Sequence, residues 1–392
     1  MKDTNKLNPE IRFSGFTDDW EQRKFEKFAQ RQSNTMISNP DNPCIEYEDV
    51  ISEQGILNKD VCSKDAEKNG IIFTEEDILY GKLRPYLHNW LNPDFKGVAV
   101  GDWWVLRPIN MDKNFLYWLI QTPQYDNAAN QSSGTKMPRA DWKLVSNTDF
   151  YVPISNEEQA KIAGLFEIIN TLITLHQRKL NGLKNVKKAM LEKMFPKNGE
   201  SVPEIRFSGF TDDWEQRKLS SMTNYKNGKS HEDKQSTSGK LELINLNSIS
   251  ISGGLKHSGK FIDEADNTLQ KDDLVMILSD VGHGDLLGRV ALIPEDDRFV
   301  LNQRVALLRP NTTADPQFLF SYINAHQYYF KAQGAGMSQL NISKGSVENF
   351  ISFVPIIEEQ KKIGAFFKQL DDTIVLHQRK LDKLKTLKKA ML

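Results

Sequence analysis

Three short stretches of this sequence carry residue types that could do chemistry unaided. Gly254-Leu255-Lys256-His257-Ser258-Gly259-Lys260 has most of the spacing of a loop whose backbone N–H groups cradle phosphates. Such a loop needs a Ser or Thr behind its lysine to reach magnesium, and a helix opening there. Phe261 occupies that place and Phe261-Ile262-Asp263-Glu264 does not open a helix, so a glycine-rich hairpin is expected. Asn92-Pro93-Asp94-Phe95 approaches the Asn-Pro-Pro-aromatic tetrad of amino-methyltransferases, but Asp94 spoils it and no glycine-rich cofactor loop follows a nearby strand. Pro93-Asp94 with Asp141-Trp142-Lys143 has the outline of a nuclease metal site, a pattern common by chance and without a clear equivalent later in the chain. Catalysis by this chain alone is therefore not expected, nor a metal site.

Binding chemistry is better represented. Ser133-Gly134-Thr135-Lys136-Met137-Pro138-Arg139 aligns with the stretch from Ala335 to Lys344, each a glycine-opened polar loop carrying cations or amides. Such side chains reach phosphates and base edges. The candidate nucleic-acid contacts are Lys82, Arg84, Lys136, Arg139 and Lys143 in the first half, and Arg289, Arg304, Asn341, Ser343 and Lys344 in the second. A plain surface loop accounts for any single one of them equally well. Trp103, Trp104, Trp118 and Trp142 read as core rather than as stacking platforms.

The elements that position these residues come in pairs. Pro9 to Lys24 returns unchanged as Pro203 to Lys218, sixteen identical residues. A looser repeat relates Glu157–Leu191 to Glu358–Leu392, with Leu175 to Leu180 identical to Leu376 to Leu381. Ile162, Phe166, Ile169, Ile173, His176, Leu180, Leu183 and Met190 form a stripe that steps mostly by three and four, as a coiled-coil seam does. Ile363, Phe367, Leu370, Ile374, His377, Leu381, Leu384 and Met391 repeat it. The spacing predicts two long helices, the first closed by Pro196 and roughly 50 Å long, packed antiparallel with a lobe at either end. His176 and His377 sit near the middle of each helix. Most seam histidines are plain structural residues. A two-fold would bring this pair together, where it could fix register as a buried Asn does.

Between these landmarks each lobe mixes short apolar runs, such as Gly70–Phe73 and Gly97–Val100, with turn residues, which suits an α/β unit. Phe115–Gln121 reads as a helix ended by Pro123. The domains expected are 1–154, a lobe with its entry motif; 155–197, the first helix; 198–356, the second lobe; and 357–392, the second helix. Lysines and arginines (51) balance aspartates and glutamates (52), but the helix ends are basic, from Arg178 to Lys197 and from Arg379 to Lys389. Two cysteines, Cys44 and Cys62, argue against a disulfide framework. No apolar run spans a bilayer and the first residues lack a signal peptide, so the cytoplasm is expected.

The entry motif, lobe and Glu-Glu-Gln-x-x-Ile…Leu-x-x-Arg-x-Leu helix, all in duplicate, resemble the DNA specificity subunit of type I restriction–modification systems. One departure is that the second copy stops at Leu392, whereas the first runs on through Glu192 to Pro196. The resemblance implies two target recognition domains joined by an antiparallel two-helix coiled coil, a pseudo-two-fold repeat. It implies double-stranded DNA with a split site as ligand, two methyltransferase subunits docked on the helices, and restriction (motor-nuclease) subunits completing the complex. S-adenosylmethionine, ATP and magnesium would then belong to the partners and none to this chain. Two other readings stay open: a protein scaffold that binds no nucleic acid, and a self-sufficient DNA methyltransferase or nuclease.

Overall fold

The identical entry motifs become strands with matching partners. Glu21–Lys24 pairs antiparallel with Asp149–Val152, placing Glu21 opposite Val152 and Lys24 opposite Asp149. Glu215–Lys218 pairs in the same sense with Ile351–Val354. The first and last strands of each lobe thus lie side by side. A computed structural model describes residues 8–64, 67–131, 136–197, 200–281, 284–337 and 339–392. Ser133, Gly134 and Thr135 of the first polar loop, and Ser338 of the second, lie outside the described residues.

Two units emerge, one from residues up to 175 with Leu381–Leu392, the other from His176–Lys380. The division falls inside both long helices, which run on from one unit into the other. In the first unit the strands Ala29–Gln32, Trp103–Pro108, Ile78–Gly81 and Trp90–Leu91 lie in that order in one sheet. In the second, Thr223–Asn227, Val305–Pro310, Leu274–Ile277 and Val290–Leu292 repeat the order. Arg107 grips Asp77 and Arg309 grips Asp273 through paired hydrogen bonds at equivalent places. The frame has been kept while most side chains changed.

The helices are Asn156–Lys193 and Ile357–Met391. The first, of 38 residues, is about 57 Å long at 1.5 Å per residue. Every seam residue named above is at least half-buried, Leu180 and Leu381 almost wholly, each such leucine contributing about 1.5–3 kcal/mol. Within the second unit the helices run antiparallel. His176 meets His377, Lys187 pairs with Asp371 at 2.6 Å, and the Phe195 ring stacks on Phe367. Within the first unit Lys388 donates to the Asn170 side chain and lies over the Trp118 ring.

One local expectation needs correction. Pro123 does not end a helix but opens one, Pro123–Ala129, with Thr122 capping it; the preceding helix is Lys113–Leu119. A proline at the first helical position loses no hydrogen bond, so it starts helices as readily as it stops them. The turn after Glu192 also has a purpose. Met194 and Phe195 are buried in the second lobe's core, against Phe318 and Tyr322.

Candidate nucleic-acid interface

Each lobe is latched to its helix by the entry motif. Arg12 donates to both carboxylate oxygens of Glu158 at 2.6 and 2.8 Å, and Arg206 to both of Glu359 at 2.7 and 2.8 Å. Both carboxylates are buried, and these hydrogen bonds raise the pKa of each arginine. The next residue completes the latch. Gln159 donates to the Pro153 carbonyl and accepts from the Asp112 N–H; Gln360 does the same with Pro355 and Asp315. Lys161 over Phe16 and Lys362 over Phe210 add a matching cation–π pair. Of the identical motif residues, Arg12 and Phe16, with Arg206 and Phe210, share this task. Nothing in the linear sequence shows which carboxylate Arg12 meets.

The polar loops converge on one corner per lobe. In the first, the Lys82 N–H donates to the Asp102 carbonyl and the Ala140 N–H to the Lys82 carbonyl, at 2.9 and 2.8 Å. In the second, the Leu278 N–H donates to the Arg304 carbonyl and the Ile342 N–H to the Leu278 carbonyl, at 3.0 and 2.8 Å. Leu83 bridges Arg139 where Ser279 bridges Asn341. By this lattice Lys82 corresponds to Leu278, Asp102 to Arg304, and Arg139 to Asn341.

The side chains on this shared backbone differ. Arg139 holds Asp102 in a fork at 3.1 and 2.9 Å, with Lys82 at 3.6 Å. These cations, Arg139 first, keep the Asp102 carboxyl below its usual pKa. Arg84 joins them through its N–H to the Pro138 carbonyl; its backbone is left-handed (φ 48°) and its Nε is buried without a hydrogen-bond partner among the described residues. In the second lobe Ser279 donates to the Asn341 side chain and accepts from Gln339. Arg304 is exposed, also left-handed (φ 64°), and no side chain pairs with its guanidinium among the described residues.

Beside each corner lies a cation–π pair with its roles exchanged. Arg31, opposite Leu106 on the strand, covers Trp142, the first residue of the helix Trp142–Asn147, at 5.2 Å. Tyr225, opposite Leu308, is covered by Lys344, the first residue of the helix Lys344–Glu348, at 5.4 Å. Burial pushes the Tyr225 phenol up to about 12. Trp142 is therefore only half-buried, unlike Trp103, Trp104 and Trp118, because its ring closes the core on one side and carries a guanidinium on the other.

The remaining candidates are scattered. Lys136 and Lys143 are exposed. Ser343 caps its helix by accepting from the Ser346 N–H. Arg289 is elsewhere, half-buried, donating to the Asn324 carbonyl, with its pKa lowered by burial. It lines a cleft of about 930 Å³ with Lys184, Lys187 and Lys188. His176 and His377 are in contact, Nδ1 to Nδ1 at 2.9 Å, one ring donating and the other accepting. Sequence reasoning missed Asp102, Arg31 and Tyr225. Aligning Trp103–Pro108 with Val305–Pro310 places Asp102 opposite Arg304 and was the available signal.

The stretches weighed for catalysis have other work. Phe261–Ile262 is a strand, and the loop before it binds the chain's own buried Glu242, through Ser258 N–H and His257. Asp141 caps a helix by accepting from the Lys143 N–H. No group of three His, Cys, Asp or Glu suited to a metal occurs among the described residues.

Two lobes of one frame, latched alike and presenting different polar corners, define a two-module binding protein. Residues 17–185 and 211–386 match the type I restriction modification DNA specificity domain, and the chain belongs to that family. Its role is DNA recognition, as the non-catalytic specificity subunit. It is 23% identical over 295 residues to the type I restriction enzyme MjaVIII specificity subunit of Methanocaldococcus jannaschii, covering 72% of this chain and 69% of that one. In fold it is similar to the type I restriction–modification S subunit of M. genitalium (TM-score 0.65, 14% identity, 99% and 96% of the chains covered). A chain from a structure concerned with complex assembly and conformational transition of the type I R-M system is similar too (TM-score 0.53, 17% identity, 98% of each chain). No helix is long and apolar enough to cross a membrane among the described residues.

Proposed function

We propose that each lobe reads one half of a split DNA site, with Lys82, Arg84, Lys136, Arg139 and Lys143 serving the first and Arg289, Arg304, Asn341, Ser343 and Lys344 the second. The observation that carries this reading is the pair of corners with one backbone lattice and different side chains. A frame repeated with changed polar tips suits two specificities better than one. The antiparallel helices act as the spacer between half-sites, the histidine pair fixing their register. Their outer faces are docks for partners. Leu175 and Leu376 are exposed at equivalent positions, as are Val186 and Leu387, which supports two copies of one partner, the methyltransferase subunit. S-adenosylmethionine, ATP and magnesium are supplied by the methyltransferase and motor-nuclease subunits, in the cytoplasm.

Mapping methylated adenines in a host carrying this chain and its partner subunits tests the reading. A motif in two parts, separated by a fixed run of unspecified bases, is expected. Lengthening both helices by about one turn should change that run and leave both half-sites intact. Binding to random duplex should weaken steeply with salt. A contiguous motif, or an unchanged run after lengthening, would overturn the spacer role.

A further inference from the structure

The two corners differ most at one position. Asp102 and Arg304 occupy the same node of the backbone lattice, yet one is an acid held by two cations and the other a cation that no side chain pairs among the described residues. Arg304 is held in the left-handed region, which an arginine adopts at some cost and which concentrates at working sites. A guanidinium fork not consumed by a carboxylate matches the two acceptors, N7 and O6, on the major-groove edge of guanine. The Ser279, Gln339 and Asn341 chain beside it is already hydrogen-bonded within itself, so it steadies the corner without competing for that fork. In the first lobe the fork of Arg139 is spent on Asp102. A carboxylate there accepts from an amino group of cytosine and repels the two acceptors of guanine.

We propose that this corner is a base-reading point in both lobes: Arg304 reads a guanine, and Asp102, steadied by Arg139 and Lys82, rejects guanine at the equivalent step. The proposal rests on the lobes being DNA readers. Neither residue is a spacer or docking residue, so assembly and the other half-site should be untouched by changes here.

The test uses the full chain assembled with its methyltransferase subunits, scored by methylation mapping and by binding to duplexes altered one base pair at a time. Arg304→Asn removes the fork and suits the left-handed backbone; Arg304→Lys keeps the charge but loses the two-point match. Both should relax one guanine in the second half-site by about five- to a hundredfold, leave the first half-site as it was, and keep the salt dependence. Asp102→Asn should admit guanine at one position of the first half-site. Persistence of the unaltered half-site reports that the variant is folded. An unchanged motif with both Arg304 variants would overturn the proposal. So would a uniform loss of affinity with a shallower salt slope for Arg304→Asn, which marks a phosphate contact. If the unaltered complex shows no sequence preference at all, the DNA-reading assignment itself fails, and this proposal with it.

Discussion

Cutting Glu359 to alanine should show how the second lobe is held to its helix. Its carboxylate is fully buried and both oxygens are hydrogen-bonded to Arg206, whose side chain is 16% exposed. Truncation strands a guanidinium with little access to water. Removing one partner of such a pair costs about 3–5 kcal/mol, against about 0–1 for an exposed pair. For a unit of roughly 200 residues that is a fall in melting temperature of about 6–20 °C. The double variant Arg206→Met with Glu359→Leu buries similar volume with no stranded charge and should recover most of the loss. The assay is thermal and urea unfolding of the full chain, run as a double-mutant cycle. Two results would refute the reasoning: a single truncation costing under about 1 kcal/mol, or a double variant as unstable as the single one.

Other perturbations follow from the same structure. Burial, then the charges of His176, Lys380 and Lys179, lowers the pKa of His377 from 6.5. A histidine depressed in the folded state contributes stability that is complete above pH 6.5 and lost as pH falls below it; unfolding midpoints should drop as pH falls below 6.5, and His377→Asn should flatten that slope. If the exposed helix leucines dock the methyltransferase subunits as proposed, Leu376→Asp should leave complexes with one methyltransferase by native mass spectrometry, and Leu175→Asp with Leu376→Asp should leave none. Gly228→Ala would place a methyl 1.7 Å from the Asn302 carbonyl oxygen; backbone cannot yield as a side chain can, so a loss of about 1–3 kcal/mol in urea unfolding is expected.

The doubled architecture was legible because the repeat and the heptad stripe are both local signals. Ile162 to Met190 announce a buried seam by spacing alone, and the packing bears it out. The latch was illegible because pairing Arg12 with Glu158 requires closing a loop of 146 residues, which no local pattern encodes. Pro123 misled because a proline at a helix boundary does not say on which side the helix lies. At the corner, the sequence marks out the cations Lys82, Arg84 and Arg139 but not Asp102. An acid draws attention as a binding residue only once the guanidinium it holds, Arg139, is seen beside it.

The adjacency of Glu21–Lys24 with Asp149–Val152, and of Glu215–Lys218 with Ile351–Val354, bears on how this protein can be rebuilt. Everything variable enters and leaves through a two-stranded neck whose upstream strand is spelled identically in both copies. A foreign cassette joined after Lys24 and before Asp149 would meet a socket that already supplies its anchoring strand. Grafts cut at those seams leave the ribbon and both halves of the Arg12–Glu158 latch with the recipient, and must themselves supply the N–H that Asp112 gives to Gln159 and the ring that Trp118 packs on Phe166.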